Sequence, residues 1–142
     1  MFAPRNMSSV YRQIDVETGV SGASAHHLIT MLFNGALEAI SRARGAMMNG
    51  EIEAKCAAIS KSLSIIDEGL KSSLDLKAGG DLAMRLDDLY GYITMRLTQA
   101  NLRNDPAALE ECTNLLTPIR DAWVAIAPSD ATVVRSALEI RA

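Results

Sequence analysis

Between Ser73 and Asp105 the chain carries a helix end, a Gly-Gly corner, one whole helix and the start of the next. Gly79-Gly80 stops a helix because only glycine enters left-handed backbone space without strain. Asp81 then suits an N-cap or a first turn, where a carboxylate meets the positive end of the helix dipole. Leu82, Leu86, Leu89, Ile93, Leu97 and Ala100 follow at three- and four-residue steps, so one face of this helix is apolar. The helix ends near Asn101 to Asn104. Asp105-Pro106 starts another, with Asp as N-cap and Pro at the first helical position. Nothing in this stretch is arranged for bond chemistry; its residues suit helix packing.

The same punctuation extends both ways. A first helix is expected from Ser24 as N-cap, with Leu28, Leu32, Ala36, Ala39 and Ala43 on one stripe. Ile29, Phe33, Leu37 and Ile40 form a second stripe beside it, so the helix must be covered on more than one side. Gly45 and Asn49-Gly50 mark its end. A second helix is expected from Glu51 to Leu76, with Ile52, Cys56, Ile59, Leu63, Ile66 and Leu70 in phase. The helix opened by Asp105 carries Leu109, Cys112, Leu116, Ile119, Trp123 and Ile126. Pro118 inside it predicts a kink, or a local break against which Trp123 packs.

Pro128-Ser129-Asp130 ends that helix and caps a short fifth segment holding Val133, Val134, Ala137, Leu138 and Ile140. Met1 to Ala23 reads as an irregular arm, interrupted by Pro4, Gly19 and Gly22, yet it holds Val10, Tyr11, Ile14 and Val16. Of the 142 residues, 49% are hydrophobic and only 4% aromatic, so the core is built from Leu, Ile, Ala and Met, which suits helices. Four helices of roughly 22–26 residues would each span about 33–39 Å, and short connections force neighbours antiparallel. The predicted fold is all-α: an up-down-up-down four-helix bundle with an N-terminal capping arm and a short C-terminal fifth helix. It forms one domain over 1–142, with the arm at 1–23, the bundle at 24–127 and a C-terminal segment at 128–142.

The net charge of −3 argues against nucleic-acid partners, which need a basic footprint. No secretory signal opens the chain, and Cys56 and Cys112, each on an apolar helical face, read as reduced thiols of a cytoplasmic protein. The segment from Thr18 to Ala36 is too polar to span a bilayer, so no stable membrane insertion is expected.

Catalytic constellations are missing from the sequence. His26 and His27 are the only histidines, and no Glu-x-x-His accompanies them, so neither a metal nor another cofactor is expected. They read as a solvated pair in a first helical turn. Asp87-Asp88 and Glu110-Glu111 point neighbouring carboxylates in different directions, and no nucleophile elbow or phosphate loop occurs. An enzyme is not expected. Ala25-His26-His27-Leu28 matches the first half of the Ala-His-x-Leu-Lys-Gly motif of histidine phosphotransfer bundles, but Ile29 and Thr30 stand where Lys and Gly belong. Tyr90 and Tyr92 lie about 200° apart on their helix, so one ring can enter the core while the other faces outward. Gly91 between them costs about 1 kcal/mol of helix propensity, which predicts a close approach by another group.

Taken in order, these segments resemble the flagellar secretion chaperone FliS family. Ser73-Leu74-Asp75, Gly79-Gly80-Asp81-Leu82-Ala83, Leu89-Tyr90-Gly91-Tyr92, Arg96-Leu97 and Ala100-Asn101 match its spacing. Leu28 to Ala36 resembles the family's Leu-Ile-x-Met-Leu-Tyr-Asp-Gly-Ala, with Phe33 and Asn34 in place of Tyr and Asp. Leu115-Leu116, Arg120 and Ala122-Trp123 also match, and the resemblance covers Tyr11 to about Ala127. It implies a cytosolic, non-enzymatic export chaperone that binds the C-terminal segment of flagellin, prevents its premature polymerisation and delivers it to the flagellar type III export gate. It also implies that the client wraps around the bundle, that the arm covers part of an apolar groove, and that Tyr11 helps docking on the gate. From helical spacing and family position, the expected partner-binding residues are Tyr11, Ile14, Val16, Ile29, Phe33, Leu37, Tyr92 and Leu102. The alternatives are a histidine phosphotransfer bundle and an adaptor for another helical client.

Overall fold

The computed structural model describes residues 22–126. Tyr11, Ile14, Val16 and the expected fifth helix lie outside them. Among the described residues there are four α-helices and no strand: α1 (Gly22–Met48), α2 (Ile52–Ser64), α3 (Gly80–Arg103) and α4 (Pro106–Ala125), with a π-helical segment, Ile65–Lys71, continuing α2.

The helices form a ring of contacts. α1 packs on α2 and α4, α3 packs on α2 and α4, and the π-helical segment touches α1, α2 and α3. Both apolar stripes of α1 are used: Leu28, Leu32, Ala36, Ala39 and Ala43 are buried, and so are Ile29, Phe33 and Ile40. Ile29, Leu32, Phe33, Ala36, Ile40 and Ala43 of these meet Ile59, Ile66, Leu70, Ile93, Leu97, Leu109, Cys112 and Leu116 in one continuous core. Small alanines on α1 let its neighbours approach closely, and the aliphatic residues opposite fill the space.

The local signals are met unevenly. Asp105 caps α4, its carboxylate accepting from Ala107 N at 3.0 Å. Gly80 sits at φ 61°, the left-handed conformation expected of the Gly-Gly corner. Gly79 is the N-cap of α3 and makes no side-chain cap, while Asp81 takes the first-turn position. α1 begins at Gly22, ahead of the expected Ser24.

The second helix departs most from expectation. Its α-helical part ends at Ser64, its π-helical part at Lys71, and Leu76 lies beyond both. Side chains take over the backbone groups there: Ser72 Oγ donates to Glu68 O, and Ser73 Oγ donates to Leu70 O at 2.7 Å. Asp75 Oδ1 then accepts from Lys77 N at 3.1 Å and Ala78 N at 3.0 Å, turning the chain toward the Gly-Gly corner. Pro118 does not break α4, which runs through it to Ala125. Gly91 lies beneath the Lys71 ammonium, 3.7 Å from where a Cβ would sit; this is an ordinary contact, so the approach of Lys71 does not itself require glycine.

Candidate functional site

One end of the structure gathers the first half of α1, the segment after the π-helix, the first half of α3 and the last turns of α4. Between them lies an open cavity of about 240 Å³. Ile29 and Phe33 form one wall, Leu82, Leu86 and Tyr90 another, and Ile119, Trp123 and Ile126 a third, each set in i, i+4 or similar helical steps. Leu70, Ser73 and Leu74 close the remaining side, and Ala122 completes the lining.

This groove is apolar throughout. No charged side chain lines it. The Ser73 hydroxyl is committed to Leu70 O. Burial pushes the Tyr90 phenol up to about 12, so it is neutral at ordinary pH. Leu82 remains 51% exposed at the rim, whereas Phe33 is only 2% exposed at the base. Such a surface cannot orient a polar substrate, but it can take the apolar face of a helix.

A reciprocal clasp holds the groove's edge. His26 Nε2 contacts Trp123 O at 2.9 Å, and Trp123 Nε1 donates to His26 O at 3.1 Å. Because the carbonyl can only accept, Nε2 carries the proton. The two rings stack with centroids 5.0 Å apart and planes 20° apart. His26 is therefore half-buried, contrary to a solvated pair, while His27 is exposed. The clasp also corrects the expected partner of Trp123, which packs on His26 near the start of α1. Burial accounts for the reversal: a ring stacked on indole loses water on one face, and the two exchanged hydrogen bonds replace it.

Of the eight residues expected to bind a partner, Ile29 and Phe33 line this groove. Leu37 is half-buried against the core on the same stripe. Tyr92 is exposed elsewhere on α3, donating to Glu111 Oε2 at 2.6 Å, while Arg96 Nε donates to Glu111 Oε1 at 2.7 Å. Leu102 is 78% exposed at the far end of α3. Leu74, Leu82, Leu86, Ile119 and Ile126 line the groove without having been singled out as binding residues. The signal available for Leu82 and Leu86 was their step to Tyr90, which as the inward ring of the pair marks the groove-facing stripe. Nothing comparable marked Leu74 or Ile126, which follow or end helices.

The described residues contain no group of three or more His, Cys, Asp or Glu side chains placed to hold a metal. Burial pushes the Cys112 thiol up to about 12, which keeps it protonated. None of the described helices is long and apolar enough to cross a membrane.

The family model for flagellar protein FliS matches residues 7–130. The flagellar secretion chaperone FliS of Salmonella typhimurium is 50% identical over 118 residues, covering 83% of this chain and 87% of that protein. The flagellar secretion chaperone FliS of Escherichia coli is 43% identical over 123 residues, covering 87% and 90%. That of Bacillus subtilis is 34% identical over 121 residues, covering 85% and 86%. On a match of this extent the chain belongs to the flagellar secretion chaperone FliS family.

Proposed function

We propose that the groove receives an amphipathic helical stretch from the C-terminal segment of flagellin, and that the chain holds that segment unpolymerised in the cytoplasm until it reaches the flagellar export gate. The observation that carries this reading is an apolar, uncharged groove walled by three helices, with Leu82 half-exposed at its rim and Phe33 at its base. A disordered partner pays a few kcal/mol to become ordered, so useful affinity comes from wrapping a large area. A client that continues past the groove along α3 would meet Tyr92 and Leu102, and one that follows the α1 stripe would meet Leu37.

On this reading the protein is a binding scaffold and not an enzyme. The ring of contacts and the short links Asn49–Glu51 and Asn104–Asp105 support an antiparallel up-down-up-down bundle forming a single domain. Tyr11, Ile14 and Val16, which lie outside the described residues, are assigned to partner binding by the family resemblance, with Tyr11 contributing to docking on the gate.

Titration calorimetry of the full chain with the flagellin C-terminal segment tests the proposal. Binding near 1:1, a large negative heat-capacity change and an altered Trp123 emission are expected, since this single tryptophan lines the groove. Absence of heat together with absence of a complex on gel filtration would overturn it.

A further inference from the structure

Three polar side chains line the groove: Ser73, Tyr90 and Trp123. Two of them are spent inside the chain. Ser73 Oγ donates to Leu70 O, and Trp123 Nε1 donates to His26 O. The Tyr90 hydroxyl has no hydrogen-bond partner among the described residues. Burial alone raises its pKa, with no hydrogen-bonding or charged neighbour contributing. Tyr90 is 97% buried, being 3% exposed, yet its oxygen is not sealed; among the described residues the side-chain oxygen closed off from solvent without a partner is Glu68 Oε2. The hydroxyl therefore keeps a contact with solvent, and the open space that Tyr90 borders is the groove. An unspent donor thus stands in a wall otherwise made of apolar or already satisfied side chains.

We infer that the Tyr90 hydroxyl sets the register of the client helix by donating to a serine or threonine hydroxyl on that helix's otherwise apolar face. The inference rests on the reading of the groove as a client site, and deepens it by naming the group that is read. Apolar contacts alone define register weakly, because a helix that slides by one turn, about 5.4 Å, presents a similar stripe. One buried polar pair fixes it, as a single polar residue does in a coiled-coil seam. The chemistry selects a hydroxyl. No charged side chain lines the groove, so a carboxylate or an ammonium would be buried without a counter-ion. An amide would bring two N–H donors, of which one phenol oxygen can satisfy at most one. A serine or threonine in a helix gives its own proton to the carbonyl four residues back. Thr30, Thr98 and Thr117 do so in this chain, at 3.0, 2.9 and 2.7 Å. Its oxygen is then free to accept from Tyr90, and every polar group at the contact is satisfied.

Tyr90→Phe removes only the hydroxyl, and calorimetry of the full-length protein with the flagellin C-terminal segment reads the effect. The variant should bind about five- to tenfold more weakly. Its urea midpoint should not fall, since no internal hydrogen bond is lost. The hydroxyl residues of the segment are then replaced one at a time, threonine by valine and serine by alanine. One replacement should weaken binding to the parent by a similar factor and have no further effect on Tyr90→Phe. A nitroxide moved along the segment should quench Trp123 from a narrow set of positions in the parent and from a broader set in Tyr90→Phe, a change that a merely structural role would not produce. Equal affinity of parent and variant would overturn the inference, as would additive effects for every replacement. So would a lowered urea midpoint of Tyr90→Phe, which would mean that the hydroxyl is spent inside the chain. Leu82→Asp, which charges the rim, separates the two readings. If it abolishes binding while Tyr90→Phe binds like the parent, the groove stays the client site and only the register role falls. If Leu82→Asp binds unaltered, or the parent does not bind the segment, both fall.

Discussion

Leu82→Ala separates groove binding from bundle stability. Leu82 sits in the first turns of α3 with 51% of its surface exposed at the rim of the groove. Fully burying a leucine side chain contributes about 1.5–3 kcal/mol. A client covering the exposed half therefore gains about 0.8–1.5 kcal/mol from it, and truncation should weaken the dissociation constant about 4- to 12-fold. The free protein should lose about 0.5–1.3 kcal/mol, because the half of the side chain that is already buried is lost and alanine, the better helix former, offsets a few tenths of it. Calorimetry with the flagellin C-terminal segment gives the affinity, and urea unfolding gives the stability. Ile52→Ala is the matched control: Ile52 is 68% exposed, but it starts α2 at the end of α1 remote from the groove. An unchanged affinity for Leu82→Ala, or an equal loss for Ile52→Ala, would refute the assignment of binding energy to this rim.

Lys55 is buried, and its ammonium donates to Asn101 O at 3.1 Å and to the Asn104 side-chain oxygen, so a positive charge sits on the C-terminal end of α3. A double-mutant cycle of Lys55→Met and Asn104→Gly should show a coupling of about 1 kcal/mol in urea unfolding, because glycine keeps the left-handed backbone at φ 50° and removes only the acceptor; additive effects would contradict this. Hydrogen bonds from Tyr92, then from Arg96, hold the Glu111 carboxyl below its ordinary range. A depressed value in the folded state means that the unfolded chain takes up the proton first. The contribution is thus present above the unfolded value and is lost as pH falls through the folded one. Glu111→Gln should flatten the fall in urea midpoint between about pH 6 and about pH 3, and an identical pH profile for variant and parent would remove the link.

The helices were legible because the signals that make them are local. Asp105-Pro106 places a cap and a pre-set φ in adjacent residues, and Asp105 does accept from the backbone two positions on. The spacing of Tyr90 and Tyr92 likewise separated an inward ring, 3% exposed, from an outward one, 40% exposed. The second helix was misread past Lys71 because its apolar period continues there, while Ser72, Ser73 and Asp75 supply competing hydrogen bonds that periodicity does not weigh. Ile29 and Phe33 were legible as groove residues because a doubled stripe needs a second cover.

What the sequence determined by itself was the four helices of the described residues, most of their ends and the apolar faces they must bury, since each follows from residues within one or two turns. What only the tertiary structure decided was which faces meet and what they leave open. His26 and Trp123 are separated by 97 positions, and no local rule joins them. Lys55 finds its acceptors at the end of α3, and the groove exists only because the ends of three helices and one turn converge without filling the space between them. Local propensity fixes each helix at a cost of tenths of a kcal/mol per residue, whereas the packing of many side chains at once fixes where the unfilled apolar surface remains.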